Sequence, residues 1–276
     1  MFSTRIYKHS GDLGDIIYSL PVIKTYGKGK LIIPNTLAPI HKLHDKRKRN
    51  IFYNLKPDGS FSGISVKKFK FIMPLLESQK YISSVIHTNY KIFDLINLSY
   101  KNINKKYFIS SCKDFIDLDL FRLESESDFI YERYRKIFDV PLCNYENPWI
   151  DVEPKKISEI IISRTTRYNN KMFPWKNFVY NYGKNMIFVG LESEYRVFTR
   201  KYGYIPFYKT KDAYEMASVI KGSELFIGNQ SLAYSIAEGL KHRTIQETSN
   251  KIPDCVFVRE KAKFFIGSRF VELQYL

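Results

Sequence analysis

A short apolar opening, Phe2 to Tyr7, runs through Lys8-His9-Ser10-Gly11-Asp12-Leu13-Gly14-Asp15 into a segment with Ile16, Ile17, Leu20 and Ile23 at helical spacing. This reads as strand, glycine loop and helix, the opening unit of an α/β sheet. Glycines at 11 and 14 let the backbone turn tightly and approach a ligand, and amides at a helix start suit oxyanions. The aspartates are unusual for a phosphate cradle. A carboxylate at the loop tip repels a diphosphate, so Asp12 and Asp15 are better aimed at a hydroxyl, as a base or a hydrogen-bond acceptor. For Asp12 the competing reading is a helix cap or a turn residue.

Beyond the first helix, Lys30 to Pro34 reads as a second strand. His41 to Arg49 is a basic run, and Val66-Lys67-Lys68-Phe69-Lys70 alternates as an exposed strand would; both are either solvated faces or a basic acceptor surface. Phe71 to Lys80 suits a helix, Tyr81 to His87 a strand, and Ser125 or Ser127 caps a helix whose Glu132, Arg133, Arg135 and Lys136 form an exposed face. Asp117-Leu118-Asp119 has the D-x-D form of a carboxylate metal site, a pattern too short to argue for a metal.

Pro141 to Trp149 is loop-like and divides the chain. After it, Ile157 to Ser163, Met186 to Gly190, Glu224 to Asn229 and Arg243 to Gln246 read as strands alternating with helices, the pattern of a doubly wound parallel sheet. The resulting division is residues 1–147, residues 148–260 and a C-terminal segment, 261–276, expected to pack back on the first domain.

Two motifs carry a resemblance. Gly14-Asp15-x-x-x-x-Leu20-Pro21 after a first strand resembles the amino-terminal signature of the ADP-heptose heptosyltransferases. Gly228-Asn229-Gln230-Ser231, leading into a helix, is similar to that family's Gly-Asn-Asp-Ser/Thr-Gly turn, with Gln230, Leu232 and Ser235 departing where the family has Asp, Gly and His. The resemblance implies two Rossmann-like domains with a cleft between them, the B-type glycosyltransferase architecture, and an inverting, metal-independent transfer. Asp15 then falls on the catalytic base, with His9, Ser10 and Asp12 on the acceptor side.

On the donor side the resemblance implies Gly14, Asn229, Gln230 and the Ser231 helix start. Lys171 takes the family's place beside the leaving diphosphate, with Arg164 and Arg167 in support. Glu194, preferred over Glu192, takes the ribose or base. Glu238 either reaches the ribose or lies exposed on its helix. The only co-substrate implied is a nucleotide sugar; no cofactor and no metal are expected.

Composition narrows the partners. With 44 Lys and Arg against 28 Asp and Glu, the net charge of +16 favours acidic partners: nucleotide sugars, an acidic glycan, a lipid-linked saccharide or DNA. Three widely spaced cysteines argue against a zinc site or disulfide framework. No stretch reaches the roughly 18 apolar residues of a membrane span, which predicts a cytoplasmic enzyme, peripheral at the inner membrane face where its acceptor is lipid-linked. Two other readings stand beside it: a transferase acting on modified bases of DNA, with residues 41–49 and 66–71 as its footprint, and a non-catalytic nucleotide-sugar or nucleic-acid binding protein. No G-x-G-x-x-G follows a strand, which argues against a dinucleotide-dependent oxidoreductase.

Overall fold

The structure, a computed structural model, describes residues 5–35, 64–88, 115–124 and 129–271. The chain divides into two compact units, Met1–Leu142 and Cys143–Leu276. The basic run at 41–49 lies outside the described residues, as do Ser125 and Ser127.

In the first unit, β1 (Arg5–Lys8), β2 (Gly29–Pro34), β3 (Ile82–Thr88) and β4 (Phe115–Asp117) form a parallel sheet in the order β3-β2-β1-β4. Helix α1 (Leu13–Tyr26) buries the residues that its spacing aligned: Ile16, Ile17, Leu20 and Ile23 are all closed to solvent. Helix α2 (Val66–Glu77) corrects the reading of 66–70 as a strand. Ser65 caps it by accepting from the Lys68 N–H, and Phe69, Ile72, Leu75 and Leu76 form one buried stripe. The apparent alternation was the first turn of that stripe. A 3₁₀ turn (Leu118–Leu123) follows β4, and α3 (Ile130–Phe138) closes the unit. Arg133, expected on an exposed face, is buried.

The second unit begins with α4 (Cys143–Glu146), whose Tyr145 packs edge-on against buried Trp149. Its sheet contains β5 (Ile160–Ser163), β6 (Met186–Val189), β7 (Phe207–Tyr208), β8 (Leu225–Asn229), β9 (Thr244–Glu247), β10 (Ala262–Ile266) and β11 (Arg269–Val271). Their order is β11-β10-β9-β8-β5-β6-β7, parallel except for the β10–β11 hairpin. The segment from 262 to 271 extends the second unit's sheet. Unbroken apolar strands such as Ile160-Ile161-Ile162 suit a sheet covered on both faces. The helices are α5 (Trp175–Tyr182), α6 (Glu192–Tyr202), α7 (Ala213–Lys221) and α8 (Leu232–Gly239). Phe173, Trp175, Phe188 and Phe198 build an aromatic core over β5 and β6. Among the described residues no helix is long and apolar enough to cross a membrane.

Candidate functional site

Open parallel sheets bind ligands beyond the carboxyl ends of their strands, where the strand order reverses. In the first unit that point is between β1 and β4; in the second it is between β5 and β8. The polar loops singled out in the sequence leave these strands.

Lys8 ends β1 with its ammonium 2.9 Å from both Asp117 and Asp119, all three side chains essentially closed to solvent. Burial alone would push the Lys8 ammonium down, but the two carboxylates outweigh it and raise it above the ordinary lysine value. The D-x-D carboxylates thus hold Lys8 and, through Asp119, the Ser10 N–H and hydroxyl, the latter at 2.7 Å. His9 is also fully buried. Its Nδ1 accepts from the Gly11 N–H at 3.0 Å, which leaves Nε2–H to donate to the Tyr134 hydroxyl at 2.9 Å. That hydroxyl donates in turn to the Asp15 carbonyl at 3.0 Å. His9 and Ser10, read as acceptor contacts, instead brace the loop from beneath.

Two buried imidazoles should make the stability of the fold depend on pH. Burial, with Arg122 and Lys8 nearby, pulls His9 down to about 4 despite Asp119; burial, Arg259 and Lys261 do the same to His242, also to about 4. Both imidazoles must be neutral in the fold, so the unfolded chain binds more protons between about 6.5 and 4. Stability should be fully present above about pH 6.5 and fall as pH drops toward 4. Urea midpoints across that window check this, and His9→Gln should flatten the first unit's share of the slope.

Asp12 occupies the cap position of α1 with an extended backbone, yet its side chain makes no capping hydrogen bond, so the capping alternative does not hold for its carboxylate. Gly14 lies in the first turn of α1, not in the loop, beside Asp15. Asp15 is partly exposed and forms an ion pair with Arg122, Nη2 to Oδ2 at 2.6 Å. Glycine at position 11 leaves room for this pair, because a Cβ there would meet the Arg122 guanidinium and the His9 ring.

In the second unit, Glu247 at the end of β9 is a buried hub. It takes a bidentate pair from Arg164 (2.7 and 2.9 Å), the Asn170 N–H at 2.7 Å and the Trp175 indole N–H at 2.8 Å. Arg164, read as a cation for the diphosphate, is therefore buried and neutralised. Beside Glu247 in register lies Asn229, also fully buried. It accepts from the Thr165 N–H at 2.9 Å and donates to the Arg167 carbonyl at 2.7 Å and to Asn169 Oδ1 at 3.0 Å. Two buried side chains thus shape the loop from 164 to 170.

Lys171 stands exposed just past that loop, with no ion pair among the described residues. Arg167 is exposed, its guanidinium 5.4 Å from the Tyr168 ring centre. Glu194 is partly buried at the start of α6, accepting from the Leu191 N–H; burial pushes its carboxyl up, opposed by that N–H and by Arg167. It lies near Gly190, whose φ of 139° favours glycine, and Ser163 at the end of β5. Glu192, the alternative, is exposed and paired with Arg196. Gln230 donates to Asp254 at 2.9 Å, and Ser231 caps α8 by accepting from the Tyr234 N–H. Glu238 is neither exposed nor near that helix start: it is fully buried at the other end of α8, paired with Arg259 and Lys241.

Arg122 and Glu247 had escaped the sequence reading. Neither carries a local signal, because each is defined by a partner distant in sequence.

Two parallel sheets, each with polar loops at its point of reversal, define the two-Rossmann fold of the B-type glycosyltransferases. Solved structures with this fold include a family 9 glycosyltransferase from Veillonella parvula, 10% identical, with 96% of this chain and 86% of that one aligned at a TM-score of 0.55. ADP-heptose lipopolysaccharide heptosyltransferase II of E. coli aligns over 95% and 90% at 0.51, again at 10% identity. The dodecameric, iron-containing glycosyltransferase TibC of enterotoxigenic E. coli aligns over 94% of this chain and 61% of its own, at 0.52 and 10% identity. At such identities the likeness is one of fold. No family model and no curated protein matches the sequence.

Proposed function

We propose that the protein is a glycosyltransferase that moves a sugar from a nucleoside-diphosphate donor to an acceptor hydroxyl, with inversion and without a metal ion. Asp15 takes the hydroxyl proton as its oxygen bonds to the anomeric carbon. The bond from that carbon to the diphosphate breaks in the same step, so attack comes from the opposite face. Lys171 and Arg167 meet the departing charge, joined by the backbone amides that open α8; fixed charge and dipoles of this kind are effective where water is sparse. Glu194 is the donor-side carboxylate for ribose or base. Arg164 drops out of the charge-stabilising set and joins Glu247 and Asn229 in shaping the loop.

The observation that carries this reading is the partly exposed Asp15 carboxylate, in the first turn after the first strand of a two-Rossmann fold. One neighbour is by name an ADP-heptose enzyme, which makes an ADP-linked sugar the first donor to test. The charge of +16 favours an acidic acceptor, a glycan or lipid-linked saccharide at the inner face of a membrane.

A thermal-shift screen of ADP-, UDP-, GDP- and CMP-linked sugars tests the donor site. One class should raise the melting temperature, as expected for about 2.7 kcal/mol of stabilisation at a hundredfold excess over Kd. Silence across the panel with a strong shift from oligonucleotides would transfer the case to nucleic-acid binding.

A further inference from the structure

Asp15 does not stand alone at the end of β1. The Arg122 guanidinium lies 2.6 Å from its Oδ2 and is itself held face-on by the Phe121 ring, 4.6 Å from the ring centre. Phe121 stacks on Tyr134 at 4.4 Å, and Tyr134 is the residue whose hydroxyl reaches the Asp15 carbonyl. One stack therefore grips both the main chain and the side chain of Asp15. Glycine at position 11 is what leaves room for the guanidinium to arrive.

We propose that Arg122 is the positioning residue for Asp15, orienting its carboxylate and keeping it ionised to receive the acceptor's proton. The inference rests on the assignment of Asp15 as the base. The charged and titratable groups around the Arg122 guanidinium are Asp15, Asp119, Tyr134 and Asp12, with His9 beside it and Lys8 beyond, on Asp117 and Asp119. Lys8 is compensated by Asp117 and Asp119 and His9 is neutral, whereas Arg122 pairs with the Asp15 carboxylate directly. The attraction is mutual: burial disfavours the charged guanidinium, yet Asp15 and Asp119 raise it above the usual arginine value. Its Nε is buried with no hydrogen-bond partner among the described residues, so the guanidinium is committed through its Nη2 edge to the carboxylate.

The test needs no substrate. In protein labelled with ¹³C at the aspartate carboxyls, the Asp15 resonance is assigned by its loss in Asp15→Asn and titrated in wild type and Arg122→Gln. Loss of an opposite charge at this distance should raise the titration midpoint by about one pH unit or more. Arg122→Met, which keeps packing against Phe121, repeats the measurement if the glutamine variant does not fold. An unmoved midpoint in a variant that melts like wild type overturns the proposal. With a donor found by the screen, Arg122→Gln should lower kcat for donor turnover on the order of a hundredfold at nearly constant KM, as misplacing a reacting group does. The acid limb of the rate profile should move to higher pH, and Arg122→Lys should recover part of the rate. If wild type turns over no donor, the transferase reading fails, while the carboxyl titration still decides the role of Arg122.

Discussion

Asp15→Asn should abolish sugar transfer while leaving donor binding intact. The amide keeps the shape of the side chain but has no basicity, and loss of a general base costs about 10²- to 10⁴-fold in rate. The side chains assigned to the donor, Lys171, Arg167 and Glu194, belong to the second unit with the α8 amides, and Gly14 is untouched by this change. The thermal shift with the donor sugar should therefore match wild type. Donor turnover and melting curves on the same preparation separate the two effects. A variant that transfers at the wild-type rate would remove Asp15 from the base role and leave the fold without an assigned catalyst.

Glu247→Gln should produce the largest stability loss of any conservative change in the second unit. Glutamine fits the space, but it leaves the Arg164 charge buried with no counter-charge and cannot accept all that the carboxylate does. Removing one partner of a buried ion pair costs about 3–5 kcal/mol. For a domain of this size that is a drop on the order of 10 °C in melting temperature. The double change Arg164→Met with Glu247→Leu should recover much of it, because no uncompensated charge remains. An unchanged melting temperature in Glu247→Gln would show that the pair is not a structural hub. Donor affinity should fall with the single change, because the loop from 164 to 170 loses an anchor at each end.

Much of the fold was legible. Helical spacing in α1 and the apolar runs in β5, β6 and β8 are local signals, and the structure uses each as read. The errors have local causes too. Val66 to Lys70 alternates over too few residues to distinguish the first turn of a helix from a strand. The chain from 262 to 271 is apolar enough to pack, but its pairing with β9 is not written in any local pattern.

The candidate site was legible in its positions and not in its pairings. Gly11, Asp15, Asn229 and Ser231 were visible because strand-to-helix turns carry glycines, caps and polar residues in recognisable order. Arg164 and Lys171 look alike in sequence, yet one is buried on Glu247 and the other exposed, because Glu247 lies 83 residues from Arg164. Asp117 and Asp119 resemble a metal motif until Lys8, 109 residues from Asp117, is seen between them. Glu238 looks like a surface helix residue until Arg259 and Lys241 close over it.

The sequence by itself determined most of the elements, their alternation and the two polar strand-to-helix turns, since these follow from periodicity and backbone preference within a few residues. Only the tertiary structure decided which charges are spent on holding loops and which face outward. That is settled by desolvation and by partners that meet only when distant strands pair, and no local pattern encodes it.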